Sequence, residues 1–257
     1  MAAKLNKGKN NKTRLDSFIV EKGFVKSRQR AKALIMAGKV LVNDVPVDKA
    51  GTLIIDDSNV IVKQDNNPFV SRGGLKLEEA LKCIPMSVKG FTCLDIGAST
   101  GGFTDCLLQY GAQKIYAVDV GYGQFDWSLR QDPKVVVIER TNIRHMPYEV
   151  INEKVDVVVA DTSFISLKTV IPSAEKFMRN DTQVLALIKP QFEAGKKNIG
   201  KGGIVKDPEI RKMVIEDLKR FFKERGYQVN QVVPSPISGP KGNIEYIISL
   251  IFKEKSK

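Results

Sequence analysis

Cysteine is scarce in this chain, with Cys83, Cys93 and Cys106 the only three among 257 residues. Their gaps match no metal-ligand spacing, so reduced thiols and no bound metal are expected. The single histidine, His145, and single tryptophan, Trp127, are assigned no catalytic role, since lone residues of these types more often pack or lie at the surface. Long apolar runs are also missing. Val155–Ala160 is broken by Asp156 and Ile247–Phe252 by Ser249, far below the ~20 residues that cross a bilayer. No membrane partner is therefore expected. The basic start MAAKLNKGKNNK leads into RLDSFIVEKG and not into an apolar segment, which argues against a secretory leader and for a cytoplasmic protein.

Positive charge is abundant: 41 Lys+Arg stand against 29 Asp+Glu, a formal net charge of +12, and the 42% hydrophobic content is enough to bury a core. The excess is uneven. Residues 1–64 hold thirteen Lys/Arg and six Asp/Glu, and the remaining three quarters of the chain hold twenty-eight and twenty-three. QDNNPFV lies between the two parts, polar, turn-prone and closed to helix at Pro68. The expected organisation is a basic tail at 1–12, a small basic domain at 13–64, a linker at 65–71 and a large domain at 72–257.

In the small domain, Arg14–Lys22 has Leu15, Phe18 and Ile19 at helical spacing and ends at Gly23. A second helix opens at Ser27, buries Ala31, Leu34 and Ile35, and stops at Gly38. Lys39–Val42 and Val45–Val47 read as a hairpin about Asn43-Asp44, followed by a strand at Asn59–Val62. No acidic residue falls between Glu21 and Asp44. Such a stretch can be a solvated charged face, but its density of Lys and Arg favours a phosphate-facing surface of Arg14, Lys26, Arg28, Arg30, Lys32 and Lys39.

The large domain alternates strands and helices. Phe91–Ile96, Lys114–Val120, Val135–Glu139, Val155–Ala160, Gln183–Ile188, Gln228–Val233 and Ile244–Phe252 are rich in Val, Ile and Leu, as strands covered on both faces are. Asp207–Gly226 reads as a capped helix with an apolar stripe from Ile210 to Phe222. The fold class is α/β, a doubly wound Rossmann-like sheet of seven strands, beside a small N-terminal α+β domain. PSPISGPKGN is too short to carry a helical crossover, so the last strand is expected to run antiparallel.

The first of these strands enters LDIGASTGGFTDCLLQYG. Its glycines let the backbone approach a ligand, and the helix that follows offers unpaired N–H groups. The spacing G-x-x-x-G-G lacks the close second glycine of a dinucleotide site. S-adenosylmethionine, whose ammonium suits a carboxylate such as Asp95 or Asp161, is favoured over a dinucleotide or a merely glycine-rich turn. Candidate contacts are Asp95, Gly97, Ser99, Thr100, Gly101, Gly102 and Phe103, then Asp119 with Val120 for the ribose diol, and Asp161.

Four further polar residues stand out. Asp161 and Lys189 follow apolar strands, at the sheet edge where ligands bind in open α/β folds. Glu245 near the start of an antiparallel strand returns to that same edge. Lys76, in the opening turn of the helix in SRGGLKLEEALKCI, opposes the helix dipole, so something other than stability should retain it. Taken singly, each has a bland reading as an exposed lysine, a structural ion pair or a cap; placed at one edge, they suggest a reaction centre. EAGKKNIGKGGIVK, with Lys196, Lys197 and Lys201, reads either as a surface loop or as a flap over an RNA backbone.

These motifs resemble a known family. Residues 14–62 look like a small RNA-binding module found in a ribosomal small-subunit protein, and residues 70–252 resemble the ribose 2′-O-methyltransferases of the FtsJ/RrmJ group. With SRGGLKLEEAL, LDIGASTGGFTDCLLQYGA, VDVGYGQFDWSLR, ERTNIR, ADTSFISL, LIKPQFEAG and GGIVKDP, the chain is similar to the TlyA (hemolysin A) family of ribosomal-RNA methyltransferases. The resemblance implies a Lys-Asp-Lys-Glu catalytic tetrad at Lys76, Asp161, Lys189 and Glu245. It also implies S-adenosylmethionine as methyl donor, a ribose 2′-hydroxyl of cytidine as acceptor, and ribosomal RNA or ribosomal subunits as partners. Asn142 stands where related enzymes often carry Asp for the adenine amino group. A lysine base is protonated in water at neutral pH, so Lys189 needs desolvation or a neighbouring cation to act as one. The rival readings are a ribosome-assembly factor with a vestigial methyltransferase half and, less favoured, a membrane-lytic protein.

Overall fold

Two sequence periodicities become two separate units, divided between residues 66 and 67. The computed structural model describes residues 12–25, 27–62 and 67–254. The first unit runs β1 (Lys12–Arg14), α1 (Leu15–Glu21), α2 (Arg28–Met36), β2 (Val40–Val42), β3 (Val45–Pro46), β4 (Leu53–Ile55) and β5 (Val60–Val62). Ser27 caps α2 as expected, its Oγ accepting from the Arg30 N–H at 3.2 Å. The β2–β3 hairpin turns at Asn43 and Asp44, both at positive φ, the conformation that short Asx side chains tolerate best. The two helices bury Leu15, Phe18, Ile19, Leu34 and Ile35 over Val40, Ile54 and Val60.

One sheet in this unit escaped the sequence reading. β1 and β4 pair antiparallel, with Lys12 opposite Ile55, so Lys12 belongs to a strand and not to a tail. Lys-Thr-Arg has no apolar residue to betray a strand, and its pairing is a backbone matter.

The second unit contains α3 (Gly73–Cys83), β6 (Thr92–Ile96), α4 (Gly102–Gln109), β7 (Lys114–Val118), α5 (Trp127–Arg130) and β8 (Val135–Ile138). It continues with β9 (Val155–Ala160), α6 (Leu167–Ala174), β10 (Met178–Ile188), α7 (Pro190–Glu193), α8 (Pro208–Arg225), β11 (Gln228–Pro234) and β12 (Tyr246–Ile251). The seven strands are ordered β11-β12-β10-β9-β6-β7-β8, and β12 runs antiparallel to both its neighbours, as the short connection requires. β10 starts at Met178, earlier than its apolar run suggests, because a bulge between Met178 and Gln183 absorbs Arg179-Asn180-Asp181.

Both faces are buried. Along β9, Val155, Val158 and Ala160 join a core with α6 and α8, while Val157 and Val159 join another with α3 and α4. Asp207 caps α8 by accepting from the Glu209 N–H at 2.8 Å, Pro208 occupies its first turn, and Gly226 closes it at φ 99°. All three cysteines are free, and burial pushes the Cys93 thiol up to about 12. No helix among the described residues is long and apolar enough to cross a membrane.

Phe222 of α8 is fully buried and meets Tyr227 edge-on at 5.4 Å. Phe222→Ala should cost about 3–5 kcal/mol, read as a lower denaturant midpoint for the second unit. An unshifted midpoint would contradict this packing.

Candidate active site

The turn after β6 is shaped by close approach. Gly97 has φ +82°, and a Cβ there would stand 2.7 Å from the Asp161 carbonyl oxygen. Ser99, also at positive φ, donates its N–H to Asp119 Oδ2 at 2.7 Å, while Asp119 Oδ1 accepts from Gly121 N at 2.6 Å. The carboxylate after β7 thus ties the two strand exits together.

Two cavities open at this edge. One, of 310 Å³, is lined by Gly97, Ser99, Thr100, Gly102, Phe103, Lys76, Asp161 and Lys189, with Ser71, Arg72 and Gly239 at its rim. The other, of 620 Å³, is lined by Asp119, Val120, Asn142, Ile143, Thr162 and Phe164, and shares Gly97, Ser99 and Asp161 with the first. Two expected contacts face neither cavity. Gly101 is needed for packing, since a Cβ there would lie 2.5 Å from Leu129 Cδ1. Asp95 is wholly enclosed, with Oδ2 accepting from Thr104 Oγ1 at 2.7 Å and Oδ1 without a partner. A buried carboxyl behind the turn cannot touch a ligand directly.

The four charged candidates form two ion pairs. Lys76 Nζ donates to Glu245 Oε2 at 2.5 Å, both groups being buried. Lys189 Nζ lies 2.5 Å from Asp161 Oδ1, off the direction of a hydrogen bond, and donates to Ser163 Oγ at 2.9 Å. We therefore read the Lys189–Asp161 contact as an ion pair that leaves Oδ1 with an unfilled hydrogen-bonding direction. Topology explains the gathering. Ile188 pairs with Tyr246, so Lys189 and Glu245 flank one register position, and Asp161 leaves the strand beside them. Glu245 is shielded from the cavity by Gly239, where a Cβ would come within 2.0 Å of Oε1.

Sequence reasoning passed over several neighbours. Ser163, Phe164, Arg72 and Gly239 lie in ADTSFISL, SRGG and SGPKGN, where adjacency to a tetrad member was the available signal. Phe164 is 90% exposed, has φ +64° and rests on Phe192 with ring centroids 4.9 Å apart. A bulky residue held in that backbone region often marks a functional turn.

The cationic candidates are sorted differently from expectation. Arg14 grips buried Asp16 through two bonds of 3.0 Å, and Arg28 adds a third at 3.3 Å. The Arg14 guanidinium, opposed by burial, holds the Asp16 carboxyl below the usual range. Arg14 and Arg28 thus help to hold their unit together, instead of simply facing outward. Lys32 and Lys39 are exposed, Arg30 is half-buried, and Lys26 lies outside the described residues. Lys196, Lys197 and Lys201 sit on a loop closed by a Gly200 N–H to Ile204 O bond of 3.0 Å.

Comparison with known proteins adds independent findings. Residues 69–252 match the FtsJ-like methyltransferase family and residues 13–54 the S4 domain. A Mycobacterium tuberculosis protein named 16S/23S rRNA (cytidine-2′-O)-methyltransferase TlyA is 46% identical over 93% of this chain and 90% of its own. A Brachyspira hyodysenteriae protein named Hemolysin A is 43% identical over 93% of this chain and 99% of its own. A solved Streptococcus thermophilus structure with a hemolysin name is 41% identical, covers 95% of this chain and 90% of that one, and superposes with a TM-score of 0.74.

Burial raises the Asp95 carboxyl from 3.8 to about 7, with Asp161 and Asp119 adding repulsion and the Thr104 bond opposing them. The folded state then holds a proton that the unfolded chain releases, so this group's stabilisation is complete below about 3.8 and declines as pH rises toward about 7. Asp95→Asn should remove that slope from the variant, so the difference between wild-type and variant unfolding free energies should fall as pH rises from about 3.8 to about 7. A pH-independent difference would show that Asp95 is ionised in the folded protein.

Proposed function

We infer the activity from one premise: the chain belongs to the FtsJ-like methyltransferase family, in its TlyA (hemolysin A) branch. We propose that it transfers a methyl group from S-adenosylmethionine to a ribose 2′-hydroxyl of ribosomal RNA, with cytidine as the nucleoside. The observation that carries this reading is the convergence of Lys76, Asp161 and Lys189 on a cavity that shares a wall with a second, larger one.

The methyl donor fits the residues present. Gly97 lines both cavities without a side chain, and Thr162, at the wall of the larger one, holds a buried hydroxyl without a hydrogen-bond partner. Asp119 and Asn142 would hold the nucleoside end in the larger cavity, and Gly97, Ser99 and Thr100 the amino-acid end. When bound, S-adenosylmethionine supplies a methyl group activated by its sulfonium. The chain's residues orient the hydroxyl and manage its proton. The Lys189–Asp161 pair takes up that proton, and Lys76, fixed by Glu245, steadies the charge that grows on the oxygen. Positioning of this kind can contribute ~7–11 kcal/mol, and a general base about 10²–10⁴-fold.

RNA is held by phosphate contacts at Lys196, Lys197 and Lys201 and, on the first unit, at Arg30, Lys32 and Lys39, with residual charge from Arg14 and Arg28. Phe164 gives an unpaired base a face to stack on. Ribosomal subunits in the cytoplasm are the setting.

Lys189→Ala should abolish tritiated-methyl transfer to ribosomal subunits while the Kd for S-adenosylmethionine stays near wild type; retained turnover would remove its role. A wild-type signal at background would instead indicate an assembly factor without activity. Phe164→Ala should weaken RNA binding by about 1–3 kcal/mol and leave cofactor affinity unchanged, and unaltered RNA titrations would dismiss the stacking role.

A further inference from the structure

The lysine-bearing segment 195–206 follows one member of the candidate tetrad in the chain and is bonded at its far end to a residue two positions before another. At its start, Lys189 occupies the residue before α7, the short helix that leads into the loop. At its end stands Asn243, 3% exposed and two residues before Glu245. Asn243 Nδ2 donates to the Gly203 carbonyl at 3.0 Å, and its Oδ1 accepts from the Val205 N–H at 3.0 Å. Lys241 Nζ adds a bond to the Gly202 carbonyl. From the other side, Arg211 Nη1 donates to the carbonyls of Val205 and Lys206 at 3.1 and 2.8 Å. The carboxyl end of the loop is thus clamped between α8 and the 239–243 turn.

That turn also forms the wall of the carboxylate. The Asn243 carbonyl accepts from the Gly239 N–H at 2.9 Å, and Gly239 is the residue packed against Glu245 Oε1. One buried amide therefore bonds the loop through its side chain and the Glu245 wall through its backbone. Packed interiors shift between discrete arrangements and do not stretch smoothly, so movement of Gly203 and Val205 is passed to Gly239.

We propose that Asn243 is a positioning residue that couples the lysine loop to the Lys76–Glu245 pair, so that an RNA backbone seated on Lys196, Lys197 and Lys201 fixes the carboxylate holding Lys76. The inference rests on the methyl-transfer reading above and adds to it a means by which substrate sets the site. It also accounts for a buried polar side chain at a position that contributes to neither cavity.

The test is a mutant cycle on the full chain, with ribosomal subunits and tritiated S-adenosylmethionine. Asn243→Asp retains the acceptor for Val205 but loses the donor to Gly203, and changing Lys196, Lys197 and Lys201 together to Ala neutralises the loop. Each should lower kcat by about 10–100-fold, and only the triple change should raise the KM for RNA markedly. Combined, they should lower kcat no further than the worse of the two, because both remove one coupling. The Kd for S-adenosylmethionine should stay at its wild-type value throughout. Losses in kcat that multiply, or a cofactor affinity that falls in step with kcat, overturn the coupling. A wild-type chain that transfers no methyl overturns the activity itself and takes the inference with it, so the two failures are distinguishable. Should Asn243→Asp not fold, amide exchange decides. A ribosomal-RNA fragment should slow exchange at Val205 and Gly239 in the wild type but not in the triple-lysine variant, and an equal response in both overturns the coupling.

Discussion

The direction of β12 is the constraint on which the reaction cleft depends. Five parallel strands deliver their carboxyl ends to one edge, which is how Asp161 and Lys189 come to stand beside the turn after β6. β11 shares their sense, and a β12 of that sense would have carried Glu245 to the opposite edge. Because β12 inserts antiparallel between β10 and β11, the residue before it faces the residue after β10. A carboxylate then meets Lys76, a lysine whose position in the first turns of α3 runs against the helix dipole.

Burial gives this pairing its chemical meaning. Enclosing two charges costs desolvation, and a buried ion pair is weak support for stability because apolar residues could fill the same volume. Two such pairs adjoin one cavity, and their charges sum to zero. That makes the cluster tolerable in the folded protein while keeping two ammonium groups at the wall of the cavity. Removal of a single member leaves an uncompensated charge, so each residue binds the others to their places. Gly97 and Gly239 belong to the same design, since any side chain there would meet Asp161 or Glu245.

Much of this was legible in the sequence because it follows from local rules. Val-rich runs mark strands covered on both faces, Asp207-Pro208 and Gly226 mark the ends of α8, and a short connection forces the last strand to reverse. What was not legible depends on tertiary contact. β1 carries no apolar residue and exists through its pairing with β4. Asp95 reads as a ligand contact until its enclosure is seen, and Arg14 and Arg28 read as free cations until Asp16 is found buried between them. Gly101 reads as a glycine in contact with the methyl donor, yet Leu129 and Phe125 occupy the space beside it. Ser163 and Phe164 lacked any periodic signal, since a turn places its side chains by backbone strain and not by repeat.

Affinity and chemistry are consequently built from different electrostatics. On the proposed reading, the exposed lysines of the 195–206 loop and of the first unit would act on phosphates through solvent, where salt screens them and where one lysine can replace another. The proposed tetrad would act at short range among largely buried side chains, where screening is slight and position decides the outcome. A protein that must find one nucleotide on a very large RNA gains from this separation. Diffuse charge can recruit the ribosome without disturbing the reaction centre, and the reaction centre can stay neutral overall without losing its hold on the substrate. In the coupling proposed above, the connection between the two is mechanical, carried by the few buried polar residues that join the lysine loop to the sheet edge.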